Sequence, residues 1–181
     1  MATANVWHEV DSERITPGDF IGFIEISKGS RCKYELDKRS GFLILDRLLY
    51  TATHYPMSYG FIPKTLGDDG DPLDIVVLCD EPIQSNCLVR CKPIGIMNMV
   101  DGGRRDEKII CVSLGDPTFS GFDDIKELPK HRANELVHFF QVYKELEHKE
   151  TTVDNEVEGP DAAKKCIEEA LETYRHVFLN H

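Results

Sequence analysis

From Phe20 to Leu114 the chain is a series of short apolar runs broken by turn residues, and beyond Pro129 the pattern changes to helical spacing. That switch restricts the fold more than any other feature. Phe20–Ile26 is strand-like and ends at Lys28-Gly29-Ser30; Lys33–Asp37 alternates and ends at Ser40-Gly41; Phe42–Leu45 resumes an extended pattern. Ile75–Leu78, Cys87–Lys92, Ile94–Met99 and Lys108–Leu114 complete the set. Such spacing predicts a barrel or sandwich, with Gly22, Gly60 and Gly95 placed to bend curved strands. Leu136, Phe139, Phe140, Tyr143 and Leu146 share one face of a helix over about 129–147. Ala163, Ile167, Ala170, Leu171, Tyr174 and Phe178 do the same over about 160–178, with Pro160 suited to a first helical position. Glu150–Gly159 between them is polar and reads as a surface loop. One α+β domain over 1–181 is expected, a small β-barrel with two main flanking helices.

Charge narrows the partners. With 21 Lys+Arg against 32 Asp+Glu in 181 residues, the net charge is −11. Nucleic acid and anionic membranes both select a basic face, so neither is expected. The chain has no 18-residue apolar run to span a bilayer. Residues 1–10 lack the basic-then-apolar layout of a secretory leader. The six cysteines form no Cys-x-x-Cys pair and mostly sit in apolar runs, as buried thiols in a reducing cytoplasm would.

Asp68-Asp69-Gly70-Asp71-Pro72-Leu73-Asp74 gathers four carboxylates immediately before an apolar strand. Like charges this close repel unless a cation lies among them. Gly70 and Pro72 shape a turn in which Asp69, Asp71 and Asp74 can converge. Oxygen donors alone suit Mg²⁺ or Mn²⁺ rather than zinc. An EF-hand does not fit, because Leu73 and Asp74 occupy the fifth and sixth positions counted from Asp69. Taken alone, the segment reads first as a solvated acidic turn. Asp101 and Asp106, bracketing Gly102-Gly103-Arg104-Arg105, form a second acidic loop that could reach the same barrel mouth.

Around these loops stand cations. Lys33 and Glu35 alternate across Tyr34, Arg47 follows Asp46 at a strand end, Lys108 lies two residues past Asp106, and Tyr143-Lys144 is on the first long helix. Singly each reads as a solvated charge, and Tyr143 as core. As a set, cations around carboxylate-held metal suit a polyanionic phosphate substrate. Tyr55–Pro63, rich in aromatics and turn formers, reads by itself as packing.

Lys33-Tyr34-Glu35-Leu36-Asp37-Lys38, Asp46-Arg47, Tyr55-Pro56, Tyr59-Gly60-Phe61-Ile62-Pro63 and Asp69-Gly70-Asp71-Pro72-Leu73-Asp74 stand in this order. The sequence continues through Asp101, Asp106 and Lys108 to Asp124–Pro129 and Phe139–Lys144. This series resembles the family I soluble inorganic pyrophosphatases over about residues 20–146. The resemblance implies a closed five-stranded OB-like barrel and Mg²⁺-dependent hydrolysis of pyrophosphate to two phosphates, with Mn²⁺ as a substitute. It implies that Asp69, Asp74 and Asp106 hold one metal, with Asp74 shared by a second. Asp101 and Asp106 would hold a third, and Glu35 and Glu25 would line the site. Asp71 would be general base for a water between two metals, and Tyr55 a residue linked to proton donation. Lys33, Arg47, Tyr59, Lys108, Tyr143 and Lys144 would contact phosphate. The compact length resembles members that assemble as hexamers, so a homo-oligomer is expected, with the stripe from Leu136 to Leu146 available to an interface as well as a core. Two departures stand out: Gly102 and Arg104-Arg105 make the second loop less acidic than usual, and Ser58 replaces an asparagine.

Rival readings need other features. An OB-type binding module wants a basic groove with exposed aromatics. A nucleotide pyrophosphohydrolase wants glutamates clustered on a helix, whereas the acids here sit on turns. A structural protein with a degenerate site would have lost charged positions that this sequence retains.

Overall fold

The computed structural model describes residues 5–149 and 151–179. The reading of residues 1–10 therefore falls partly outside the described residues, as does Glu150.

Ten strands form: β1 (Ile15–Thr16), β2 (Asp19–Ile26), β3 (Cys32–Leu36), β4 (Leu43–Leu48), β5 (Ser58–Phe61), β6 (Asp74–Leu78), β7 (Cys87–Asp101), β8 (Arg104–Arg105), β9 (Lys108–Ser113) and β10 (Thr151–Glu158). The helices are α1 (Val6–Glu9), α2 (Lys130–Val142) and α3 (Pro160–Phe178). The order β2-β5-β6-β9-β7 closes on itself because β7 also pairs with β2, which makes a five-stranded barrel. Closure forces a tight crossing. A Cβ on Gly60 would lie 1.8 Å from the Phe23 carbonyl oxygen, so only glycine lets β5 approach β2 there. Among the described residues only β6 and β9 run parallel, with Asp74 in register with Lys108. Those two residues therefore start neighbouring strands at the same end of the barrel.

β9 buries all six of its side chains, and β6 buries four of five. The inner layer, including Val76, Met97 and Ile110, continues into Leu136, Phe139, Phe140 and Tyr143 of the α2 region. Each such side chain contributes about 1.5–3 kcal/mol when fully buried. On the opposite wall α3 lays Ala163, Ile167, Ala170 and Leu171 against Ile96 and Ile109. Its ends suit the helix dipole, with Asp161 in the first turn and Arg175 and His176 in the last.

Several expectations change. Cys87–Lys92 and Ile94–Met99 are one fifteen-residue strand with a register shift between Pro93 and Gly95. β5 arises inside Tyr55–Pro63. The expected loop is the edge strand β10, paired to β7 from Thr151↔Asp101 to Glu158↔Ile96. Its polar side chains face outward while Val153 and Val157 pack inward, so its hydrophobic signal is small. The first long helix ends at Val142, and a 3₁₀ turn follows over Glu145–Glu147. Leu146 thus leaves the stripe for solvent, while Leu136, Phe139, Phe140 and Tyr143 are core and not a free interface. Of the six cysteines, all unpaired, only Cys91 and Cys111 are fully buried. No described helix is long and apolar enough to cross a membrane.

Candidate active site

An open cleft of about 590 Å³ lies across one end of the barrel. Its floor is barrel. Asp74 opens β6, Lys108 opens β9, and Tyr59 lies on β5, whose Phe61 pairs with Asp74. Lys108 is 2% exposed. Its ammonium bonds Asp74 and lies 2.5 Å from Asp106 Oδ1. Tyr59 donates its phenol proton to Asp74 Oδ2 at 2.5 Å. The ammonium also stands 5.7 Å from the Tyr59 ring centre and 5.9 Å from that of Phe140. Burial and then the like charge of Asp106 push Asp74 up to about 6, against the pull of Lys108. Burial alone would favour a neutral Lys108, but the two carboxylates beside it hold its pKa above the ordinary lysine value. The lysine is therefore charged.

Glu25 of β2 lies beneath this floor, buried, accepting the Leu36 amide at 2.7 Å. Burial, then the nearby Asp74, pushes it up to about 8.

The two acidic loops meet. In the first, Asp69 Oδ1 accepts the Asp71 amide at 3.0 Å, and the Asp71 carboxylate pairs with Lys38. Burial raises the pKa of Asp69. The second is the β7–β8 hairpin, whose tip residues Gly102 and Gly103 have φ of +54° and +80°. That double left-handed turn suits glycine, which gives Gly102 a backbone reason. Arg105 Nε reaches Asp68 Oδ2 at 2.6 Å and Arg104 Nη1 the Asp69 carbonyl at 3.3 Å, so the arginines clasp one loop to the other. Asp101 receives Lys144 Nζ at 2.6 Å and Thr151 Oγ1 at 3.0 Å. Burial would raise Asp101, but its bond to Lys144 outweighs this and holds it below the usual carboxylate value.

The far wall is the separate β3–β4 hairpin. Lys33 pairs with Glu35, and Lys33 and Arg47 are cross-strand partners. Arg47 bonds Asp46, and its Nε reaches Glu147 Oε1 at 2.8 Å. Among the described residues its Nη2 is a buried donor without a hydrogen-bond partner. Tyr143 and Lys144 enter from the end of α2, both nearly buried.

Every expected site residue lines this cleft except Tyr55. Tyr55 is 2% exposed, with its ring packed on Tyr59 and Phe139 at 5.5 and 4.9 Å, behind the wall. Residues without an expected role also appear. Lys38, Tyr34 and Lys149 line the cleft, and Glu147 holds Arg47. Lys38 lies inside the Lys33–Lys38 segment, whereas Glu147 belongs to none of the motifs and sits among other acids at a helix end.

The donor set fits hard divalent cations, since carboxylate oxygens from both loops face one cleft and neither thiol nor imidazole does. Among the described residues no three such groups stand close enough to form a ready coordination set. Asp71, Asp74, Asp101, Asp106 and Glu35 each meet a lysine instead, while Asp69 and Glu25 accept backbone amides.

The family model for inorganic pyrophosphatase matches residues 22–175. A soluble inorganic pyrophosphatase of Chlamydomonas reinhardtii is 46% identical over 173 residues, covering 96% of this chain and 90% of the relative. One from Solanum tuberosum is 43% identical, covering 98% and 83%. The solved inorganic pyrophosphatase of Helicobacter pylori superposes with a TM-score of 0.87 at 42% identity, covering 93% of this chain and 99% of that one. A barrel whose acidic loops and cations share one cleft, matched nearly end to end by these proteins, makes this chain an enzyme of the inorganic pyrophosphatase family.

Proposed function

We propose that the cleft hydrolyses inorganic pyrophosphate to two phosphates in a Mg²⁺-dependent reaction, with Asp71 as the general base. The observation that carries this reading is the meeting of both acidic loops with Lys33, Arg47, Lys108 and Lys144 in one open cleft. Asp69, Asp74 and Asp106 would hold the ions, with Asp101 and Glu35 as further donors and Glu25 beneath them. Bound divalent ions shield the substrate's charge and lower the pKa of a coordinated water from about 15.7 towards 7.

The side chains supply the rest. Asp71 takes the proton of the attacking water on a carboxylate oxygen. Lys33, Arg47 and Lys144 clamp phosphoryl oxygens, and the unpartnered Arg47 Nη2 already offers a donor. Lys108 places a fixed positive charge at the buried end of the cleft, where charge develops on the leaving phosphate. Burial holds the phenols of Tyr59 and Tyr143 well above the usual tyrosine value, so at neutral pH they remain donors and add no negative charge. Tyr55 supports Tyr59 from behind.

Phosphate release from pyrophosphate and from ATP, with and without Mg²⁺, tests the reading in the native chain and in Asp71→Asn and Asp74→Asn. Release should require Mg²⁺ and favour pyrophosphate. Asp71→Asn should lose about 10²–10⁴-fold in rate, the contribution of a general base. Equal turnover of ATP, or a native rate in Asp71→Asn, would overturn it.

A further inference from the structure

Asp69, Asp71 and Asp74 lie on one turn, yet they have different partners. Asp74 faces Lys108 on the barrel floor, whereas Asp71 turns the other way, to Lys38. We infer that Lys38 is a positioning residue that holds the Asp71 carboxylate apart from the metal-binding acids, and that the N-terminal segment, through Asn5 and Trp7, holds Lys38. The inference rests on the reading of Asp71 as general base. It adds the reason why this aspartate is kept for a proton while its neighbours on the same turn bind cations.

An exposed lysine–carboxylate pair is weak alone, and Lys38 and Asp71 are 48% and 52% exposed. Three further constraints act on this one. The turn carrying Lys38 is closed by Gly41 N donating to Asp37 O at 2.8 Å and by Ser40 Oγ on Asp37 Oδ2 at 2.5 Å. Asn5 Nδ2 donates to the Lys38 carbonyl at 3.0 Å, so the N-terminal segment grips that turn from outside. The ammonium lies 5.5 Å from the centre of the Trp7 ring, within cation–π range, and 3.4 Å from the Gly70 carbonyl.

Trp7 is itself fixed, to the segment that carries Asp71. Its indole Nε1 donates to the Thr65 carbonyl at 2.8 Å, and its carbonyl accepts the Lys64 amide at 2.9 Å. Thr65 Oγ1 in turn accepts the Leu73 amide at 2.9 Å, inside the acidic turn. His8 and Phe178 pack on the indole at 4.6 and 5.4 Å. One buried ring thus joins the turn that carries the lysine to the loop that carries the aspartate, and fixes the distance between them.

Lys38→Met, Lys38→Arg and Asn5→Ala test this, with Asp71→Asn alongside and thermal midpoints as folding controls. In Lys38→Met kcat should fall about tenfold, a part of what a general base supplies, with KM for the Mg²⁺–pyrophosphate complex within about twofold. Mn²⁺ titrated calorimetrically without substrate should bind about threefold tighter, as the freed carboxylate joins the coupled acids. The emission of Trp7, the chain's single tryptophan, should shift as the ammonium leaves its ring. Lys38→Arg should recover all three, and Asn5→Ala should move kcat and Mn²⁺ affinity the same way by less. A lower thermal midpoint in Lys38→Met with kcat and Mn²⁺ affinity both within about twofold of native would overturn the inference and leave Asp71 as base. A native rate in Asp71→Asn would remove the base reading and this inference with it.

Discussion

The cleft has two walls built from the same kind of pair in opposite surroundings. On the barrel floor Lys108 is 2% exposed, between Asp74 and Asp106 at 21% and 13%. On the β3–β4 hairpin Lys33 meets a Glu35 that is 50% exposed. A buried ion pair broken on one side leaves an uncompensated charge where water cannot reach, whereas an exposed pair is replaced by water at little cost. The hairpin is a two-stranded sheet of its own, while the floor is built from strands closed into the barrel. One wall is therefore set by barrel closure, and the other presents to water the carboxylate side of its Lys33–Glu35 pair.

The largest test of that contrast is Lys108→Met. Two neighbouring acids would lose the cation between them, and the fold should lose about 3–5 kcal/mol in urea unfolding without metal. Adding Mg²⁺ should return part of that loss, because another cation then answers the same carboxylates. A loss under about 1 kcal/mol would mean that floor and hairpin are alike and the contrast is wrong.

Next in size is the pH dependence that Glu25 adds to the floor. Its carboxyl is raised from the ordinary glutamate value of 4.5 to about 8 in the fold, chiefly by burial, so the folded state holds a proton that the unfolded chain releases first. The contribution is complete below about 4.5 and is lost as pH rises towards 8, at about 1.4 kcal/mol per pH unit. Glu25→Gln keeps an acceptor for the Leu36 amide and removes the titration. Metal-free unfolding of this variant should be flatter over that range than the native protein's, and equal slopes would show that Glu25 is not the source.

How much of this was legible follows the same division. Strands with continuous apolar runs, β2, β6 and β9, stand out because both faces are covered. β10 does not, since only Val153 and Val157 pack inward and its partner β7 is some fifty residues away in sequence. The acids and cations of the cleft were legible as residue types in motifs, including Asp71, Asp74 and Lys108. Their pairing was not. That Asp74 answers Lys108 depends on the parallel register of β6 with β9, and that Asp71 answers Lys38 depends on how the hairpin folds over the barrel mouth. Tyr55 differs again, a motif residue whose ring packs on Tyr59 and Phe139 and does not line the cleft.

The smallest expected effect belongs to the hairpin, and it separates stability from binding. In a double-mutant cycle of Lys33→Met and Glu35→Gln, the coupling between the two should stay below about 1 kcal/mol in unfolding, since Glu35 is half-exposed and water replaces what is lost. The same Lys33→Met should raise KM for pyrophosphate about tenfold, because a charge-assisted contact to a phosphoryl oxygen is lost; that is about 1.4 kcal/mol of binding. Lys33 also lies 3.6 Å from Asp46, which bonds Arg47, so part of its charge supports the neighbouring clamp. A coupling as large as that expected at Lys108 would mean the hairpin is set as firmly as the floor. An unchanged KM would mean that Lys33 serves Asp46 and Arg47 and does not touch the substrate.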